Sequence, residues 1–303
     1  MLISANPLPM DMIQLRAQYG KFGFNAFTAI VKSPLDQDKI LSAHRLDFNL
    51  WDKGNLGIAE SVVTGRDAFE FRFLNPFSIY TVTESSGGTL VEDKAETSRG
   101  NLLVSGDLEL RILRNLALYG ELMIDDYQLR VGLVDSFRSW GSKYGIQLGI
   151  QMVEPLSIDN ADLRIEYAFV NQFAYTHSRP INTYTHFDRV IGHELGSDAD
   201  DLWVNFKYWL TDKLSSTLTY ELQRHGEGGA AIPHPADAPD NQWEFLSGIP
   251  ESSHAFSVAV KYHAIADFLF SARYQFSHIV NFNHQMGDSE NQHDVILSAL
   301  YRL

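Results

Sequence analysis

The chain has 303 residues, no cysteine and a formal net charge of −14, from 24 basic against 38 acidic side chains. That charge repels nucleic acid and excludes DNA and RNA as partners, while the lack of cysteine excludes disulfides and thiolate metal sites. A mean hydropathy of −0.17, with no run of about 18 consecutive apolar residues, excludes a helical membrane protein.

Apolar side chains at every second position supply the positive signal. The first candidate strands are Met12 to Tyr19 and Phe22 to Val31, joined at Gly20-Lys21 in a tight hairpin. Ile40 to Trp51 and Leu56 to Gly65 follow, separated by Asp52, Lys53, Gly54 and Asn55. From Phe69 to Gly100 the alternation gives way to a polar run rich in Ser, Gly, Glu and Thr. It is too long for a compact-domain loop without a task of its own, so 66–100 is read as a loop folded into the lumen or lying outside the cell. Alternation resumes in Asn101 to Leu113, Asn115 to Asp125, Tyr144 to Val153 and Ala161 to His177, the last long enough to project past a membrane. A second long loop is expected at 178–200.

The clearest strand is Asp201 to Leu210, with Leu202, Val204, Phe206, Tyr208 and Leu210 on one face and Trp203, Asn205, Lys207 and Trp209 on the other. Leu214 to His225 comes next, and after a third long loop at 226–253 come Ala255 to His263, Asp267 to Phe282 and Asp294 to Leu303. About nine to eleven tilted residues cross a bilayer, apolar side chains toward lipid and polar ones toward the lumen. Two-residue corners such as Asp212-Lys213 alternate with long loops, which is the asymmetry of outer-membrane barrels. The expectation is an all-β fold, one antiparallel up-and-down transmembrane β-barrel domain over 1–303, with about 12–14 strands.

The inward face then carries both signs of charge: Arg45, Asp47, Glu60, Asp107, Glu109, Arg111, Glu121, Arg164, Glu166, Lys207, Glu221 and Arg273. Such residues are expected to pair in a network that fills the lumen, because unpaired charges away from water are costly. Carboxyl pairs also suit a glycosidase, and Glu121 or Glu166 would be its suspects, but any charged lumen offers such pairs. The histidines form no HExxH or HxH unit, so no metal site is expected. Asp125-Asp126 and Ser197 to Asp201 lack the spacing of a calcium loop and read as solvated loop ends. Gly226, Gly228 and Gly229 open no helix, so they read as a flexible loop rather than a phosphate cradle.

Several segments carry a family resemblance. Asn182 to Val204 contains Tyr184, Thr185, Gly192, His193, Gly196, Asp198 and Asp200 in the order found in Wzi-like capsule assembly proteins. His44 to Leu50 with Gly57 to Gly65, then Leu74 to Phe77, Leu118 to Asp126 and Phe245 to Gly248, occur in matching order. The chain resembles the later part of that family, without its N-terminal region, and so resembles an incomplete part of a larger barrel.

The resemblance implies a monomeric outer-membrane β-barrel lectin that helps attach or assemble capsular or other extracellular polysaccharide, without a cofactor or catalysis. Its other partner is outer-membrane lipid. Met1 to Met12 contains no signal peptide, so a leader is expected upstream. Thr185, Gly192, His193, Gly196, Asp198 and Asp200 are expected to fold their loop against the barrel. Tyr184, Trp203, Trp243, Arg164 and Glu166 are the candidate polysaccharide contacts, since aromatic faces stack on pyranose rings. A porin-like or fatty-acid-transporter-like channel is the alternative, and a glycan-cleaving enzyme the third reading.

Overall fold

The computed structural model describes residues 1–65, 71–82, 100–126, 143–232, 244–265 and 268–301. Eight strands come first: β1 (Asp11–Tyr19), β2 (Phe22–Lys32), β3 (Asp38–Asn49), β4 (Gly54–Gly65), β5 (Asn101–Leu113), β6 (Leu116–Asp126), β7 (Lys143–Val153) and β8 (Ala161–Val170). A short ribbon, β9 (Thr185–His186) and β10 (Arg189–Val190), precedes β11 (Ala199–Thr211), β12 (Leu214–His225), β13 (Glu251–Ile265), β14 (Phe268–Val280) and β15 (Ser289–Tyr301). All except the ribbon form one sheet of 13 strands in sequence order, each pair antiparallel.

Six connections at one end are short, and the long loops gather at the other. At the turn end Gly20, at φ 56°, takes a left-handed conformation that its lack of a Cβ makes inexpensive. Each strand sends alternate side chains to opposite faces. On the outer face lie large apolar residues with high exposure, including Ile13, Leu148, Leu218 and Leu297. Ring pairs border this band: Phe22 with Phe48 and Phe268 with Tyr301 at the turn end, Tyr144 with Phe169 at the loop end. An apolar belt between aromatic girdles suits a sheet whose outer face meets lipid.

The inner face curls around the segment 171–198. Its buried Tyr175, Tyr184, Ile191 and Leu195 pack with Leu41, Val63, Leu103, Met123 and Val170 of the wall, and with Met1 and Leu2. The expected long strand Ala161 to His177 therefore stops at Val170. From Asn171 the chain turns inward, where Asp125 of β6 accepts from the Tyr175 amide and Asn101 of β5 donates to the Tyr175 and Thr176 carbonyls.

The break after β4 differs from its expected place. Its described part, 71–82, lies on the outer face, where Phe73 and Tyr80 pack on Val62 and Phe77 stacks on Phe24 at 5.3 Å. At the two margins, β1 and β15 both run from the loop end to the turn end, and they do not pair with each other. Joining them directly would make a parallel contact in an otherwise antiparallel sheet.

Candidate functional site

The segment 171–198 is tied to the wall strand by strand. Lys39 of β3 is fully buried and donates from Nζ to the carbonyls of Thr183 (2.9 Å) and Thr185 (2.6 Å) and to the Thr185 hydroxyl. Gly65 N donates to Asn182 Oδ1 at 2.9 Å, and Lys32 N to His186 Nδ1 at 3.0 Å. Asp125 accepts from the Tyr175 amide at 2.5 Å, and Asn101 reaches the Tyr175 and Thr176 carbonyls. These bonds satisfy backbone that an interior loop would otherwise leave unpaired. The result is a plug.

Burial moves the titrations within the plug. It raises the Tyr175 and Tyr184 phenols well above their ordinary value. It also lowers His177, with help from Lys143, and His193, each to about 4. In both rings Nδ1 accepts a backbone N–H, from Arg179 at 2.9 Å and from Leu195 at 3.3 Å. A neutral imidazole is what these contacts require.

Below the plug the inner wall bears two clusters built by one device. In the first, Arg45 of β3 lies across Gly57 of β4 to grip Asp107 of β5 with two hydrogen bonds of 2.5 and 2.9 Å. Its Nε donates to Asp47 at 2.8 Å, and Asp47 also accepts from Asn55. A Cβ at position 57 would collide with the guanidinium. Glycine lets the side chain span three strands.

In the second cluster Tyr119 of β6 lies across Gly149 of β7, where a Cβ would collide with its ring. Its hydroxyl donates to Glu166 of β8 at 2.5 Å and accepts from Arg164 Nε at 2.7 Å, while Arg164 Nη2 donates to Glu166 at 2.7 Å. The Arg164 guanidinium sits 5.3 Å from the Tyr119 ring centre and 5.5 Å from that of Trp203 on β11. Arg164 remains 46% exposed, so this cluster opens to the lumen.

Three candidate polysaccharide contacts, Arg164, Glu166 and Trp203, thus stand together, joined by Tyr119, which sequence reasoning missed. The signal for Tyr119 was the glycine opposite it on the neighbouring strand. Tyr184 must be reassigned: it is fully buried, stacks on Tyr175 at 5.9 Å and donates to Ser61 at 2.8 Å, so it offers no face to a ligand. Trp243 lies outside the described residues.

The expected single charge network is instead a set of separate groups. Glu60 points to the outer face, where it meets His44 at 3.2 Å and accepts from the Tyr80 amide and Thr81 hydroxyl at 2.8 Å each. The physical reason is parity: Tyr184 bonds to Ser61 on the inner side, so its neighbour in β4 must point outward. Glu121 lies 2.8 Å from the Met1 nitrogen, Lys207 covers Trp209 at 3.9 Å, and Arg273 reaches Gln275. Glu109 and Arg111 are 3.8 Å apart and well exposed.

In the family-motif loop, Gly192 lies under the Tyr175 ring, whose hydroxyl accepts from the His193 amide at 3.0 Å. Gly196 has φ 74°. Asp198 and Asp200 are buried rather than solvated. Asp198 accepts from the Gly228 amide at 2.8 Å and from Ser247, and it fills the space a Cβ would need at Gly226 and Gly228, so those glycines serve close approach. Asp200 lies at the start of β11 on the outer face, held by Arg224 and by Tyr167 at 3.0 Å. Among the described residues no group of His, Asp and Glu is placed to hold a metal ion.

An antiparallel sheet with an outward apolar belt, aromatic borders, short turns opposite long loops and a polar inner wall defines a β-barrel protein of the bacterial outer membrane. The family model for capsule assembly protein Wzi matches residues 1–294, and the chain belongs to that family. Among solved structures, Wzi of Escherichia coli, an outer membrane protein involved in group 1 capsule assembly and a carbohydrate binding β-barrel, aligns with a TM-score of 0.60 at 13% identity. The alignment covers 92% of this chain and 55% of that one, so the chain spans about half its relative's length. OccD1 (OprD) aligns at 0.44 with 10% identity over 96% of this chain and 68% of that one. A FadL homologue of Pseudomonas aeruginosa aligns at 0.38 with 12% identity over 96% and 77%. These two likenesses are too low to bear on function. No curated protein sequence matches the chain.

Proposed function

We propose that this protein is a monomeric, non-enzymatic lectin that holds capsular or other extracellular polysaccharide and assists its attachment or assembly at the cell surface. The observation that carries this reading is the lumen-facing group of Trp203, Arg164, Glu166 and Tyr119. It joins an aromatic face, suited to the apolar side of a pyranose, with fixed donors and acceptors for hydroxyls. Membership of the capsule assembly family and the carbohydrate-binding character of the Escherichia coli relative support it.

Retention of detergent-solubilised protein on immobilised capsular polysaccharide is the test. Trp203→Ala is expected to lose at least about tenfold in retention, as removal of a central aromatic anchor does, without losing the fold. Equal retention by the variant and the parent protein would sink the assignment of this site. The plug packed across the loop end of the inner face speaks against a channel, and planar-bilayer recording is expected to give no steady conductance. Glu166, a suspect for glycan cleavage, is occupied by Tyr119 and Arg164, and polysaccharide chain length is expected to stay constant through prolonged incubation.

A further inference from the structure

Strand register fixes what surrounds Trp203, and the surroundings bear on which sugar it can take; the inference rests on the lectin reading. Glu166 of β8 and Glu221 of β12 are the direct cross-strand neighbours of Trp203, with Cβ atoms about 4.5–5.5 Å away. Asp201 and Asn205 flank it on its own strand, two residues to either side and on the same face. Beyond Glu221 comes Ala255, whose small side chain leaves room beside the indole, while beyond Glu166 the Tyr119 ring covers Gly149.

The three carboxylates are not equivalent. Glu166 is engaged by Tyr119 and Arg164. Glu221 accepts from Gln223 Nε2 at 3.0 Å, and Asp201 Oδ1 is enclosed without a hydrogen-bond partner among the described residues. Arg273 acts on Glu221 from β14, but its Nη2 is turned to Gln275, and Glu194 of the plug adds negative charge facing both Asp201 and Glu221. An enclosed acceptor beside an aromatic face favours a ligand that donates hydrogen bonds. A ligand carboxylate there meets like charge.

We propose that the Trp203 platform selects a sugar unit presenting only hydrogen-bond donors to Asp201 and Glu221, a neutral or amino-bearing pyranose, and turns away uronate units. The unit stacks on the indole, and its hydroxyl or ammonium hydrogens point to the two carboxylates.

The test passes detergent-solubilised protein over immobilised dextran, chitosan oligosaccharide and polygalacturonate, with the capsular polysaccharide as reference. The unchanged protein is expected to be retained by dextran or chitosan at least about tenfold more than by polygalacturonate. The double variant Asp201→Asn with Glu221→Gln, close in volume to the parent, is expected to narrow that gap to about threefold or less. A salt-sensitive preference for chitosan assigns the ammonium, equal retention on chitosan and dextran assigns hydroxyls, and both outcomes support the proposal. Strongest retention on polygalacturonate, or a gap unaltered in the double variant, overturns it and leaves the lectin reading standing. No retention on any of the four columns removes both.

Discussion

Arg45 over Gly57 and Tyr119 over Gly149 are the same construction at two places on one wall, yet they end differently. In both, a long side chain crosses a glycine and bonds to a carboxylate two strands away. At Arg45 the partners match: one guanidinium faces Asp107 and Asp47, with side chains only 23–33% exposed, and the group is closed. At Tyr119 a neutral hydroxyl takes the crossing role, which leaves Arg164 free to lie between two rings and near the lumen. A charge pair across the glycine makes a staple, whereas a phenol across the glycine makes a staple with a binding face attached.

Release of the plug separates a difference that belongs to the wall from one imposed by the plug, and acid should release it. Because the plug lowers His177 and His193 to about 4, the unfolded chain binds more protons than the folded one between pH 6.5 and 4. Stability from these rings is complete above pH 6.5 and is lost as the pH falls toward 4. Each tenfold loss of proton affinity on folding corresponds to about 1.4 kcal/mol, so the two rings together, discounted for partial exposure, are worth a few kcal/mol. Proteolysis of 171–198 is expected to accelerate in that window. If glycan retention survives the release of the plug, the binding face is the wall's own; its loss would assign part of the site to the plug.

Next come the glycines. Gly149→Val and Gly57→Val are each expected to destabilise by about 1–3 kcal/mol through overpacking, measured as urea midpoints in detergent. Only Gly149→Val should also abolish retention, and loss in both variants would erase the distinction between the clusters. Asp107→Ala, which strips Arg45 of its bidentate partner, is expected to cost about 1–2 kcal/mol, with retention unchanged. Tyr119→Phe removes two hydrogen bonds but keeps the ring, for about 1 kcal/mol and a measurable drop in retention. Smallest is Arg111→Ala: at 3.8 Å and well exposed, the pair with Glu109 is worth less than about 0.5 kcal/mol, and a larger shift in midpoint would contradict the division of the lumen charges into separate groups.

Alternation with period two was enough to read the 13 strands, their antiparallel order and the short turns, because a strand with one apolar face announces itself residue by residue. Asp201 to Leu210 is the plainest case, and its faces are those of β11. The same local signal misled where side chains were satisfied from a distance. Nothing within Asn171 to His177 distinguishes a strand from a chain turning inward; the cause lies in Asp125 and Asn101, on other strands. Glu60 looked like its charged neighbours, but parity places it outside, beneath Tyr80. Tyr184 looked like a stacking residue, and Ser61, more than a hundred positions earlier, closes it off. Arg164, Glu166 and Trp203 could each be named from composition and position, whereas their meeting around Tyr119 needed the register of four strands and a glycine between them. Which residues alternate, and hence that a membrane barrel wall forms, follows from the order of residues along the chain, since that depends on neighbours two positions apart. Which of its polar residues are buried, crossed over or left facing the lumen emerges in three dimensions, since hydrogen bonds and close approaches between distant strands are set by register and shear and not by local pattern.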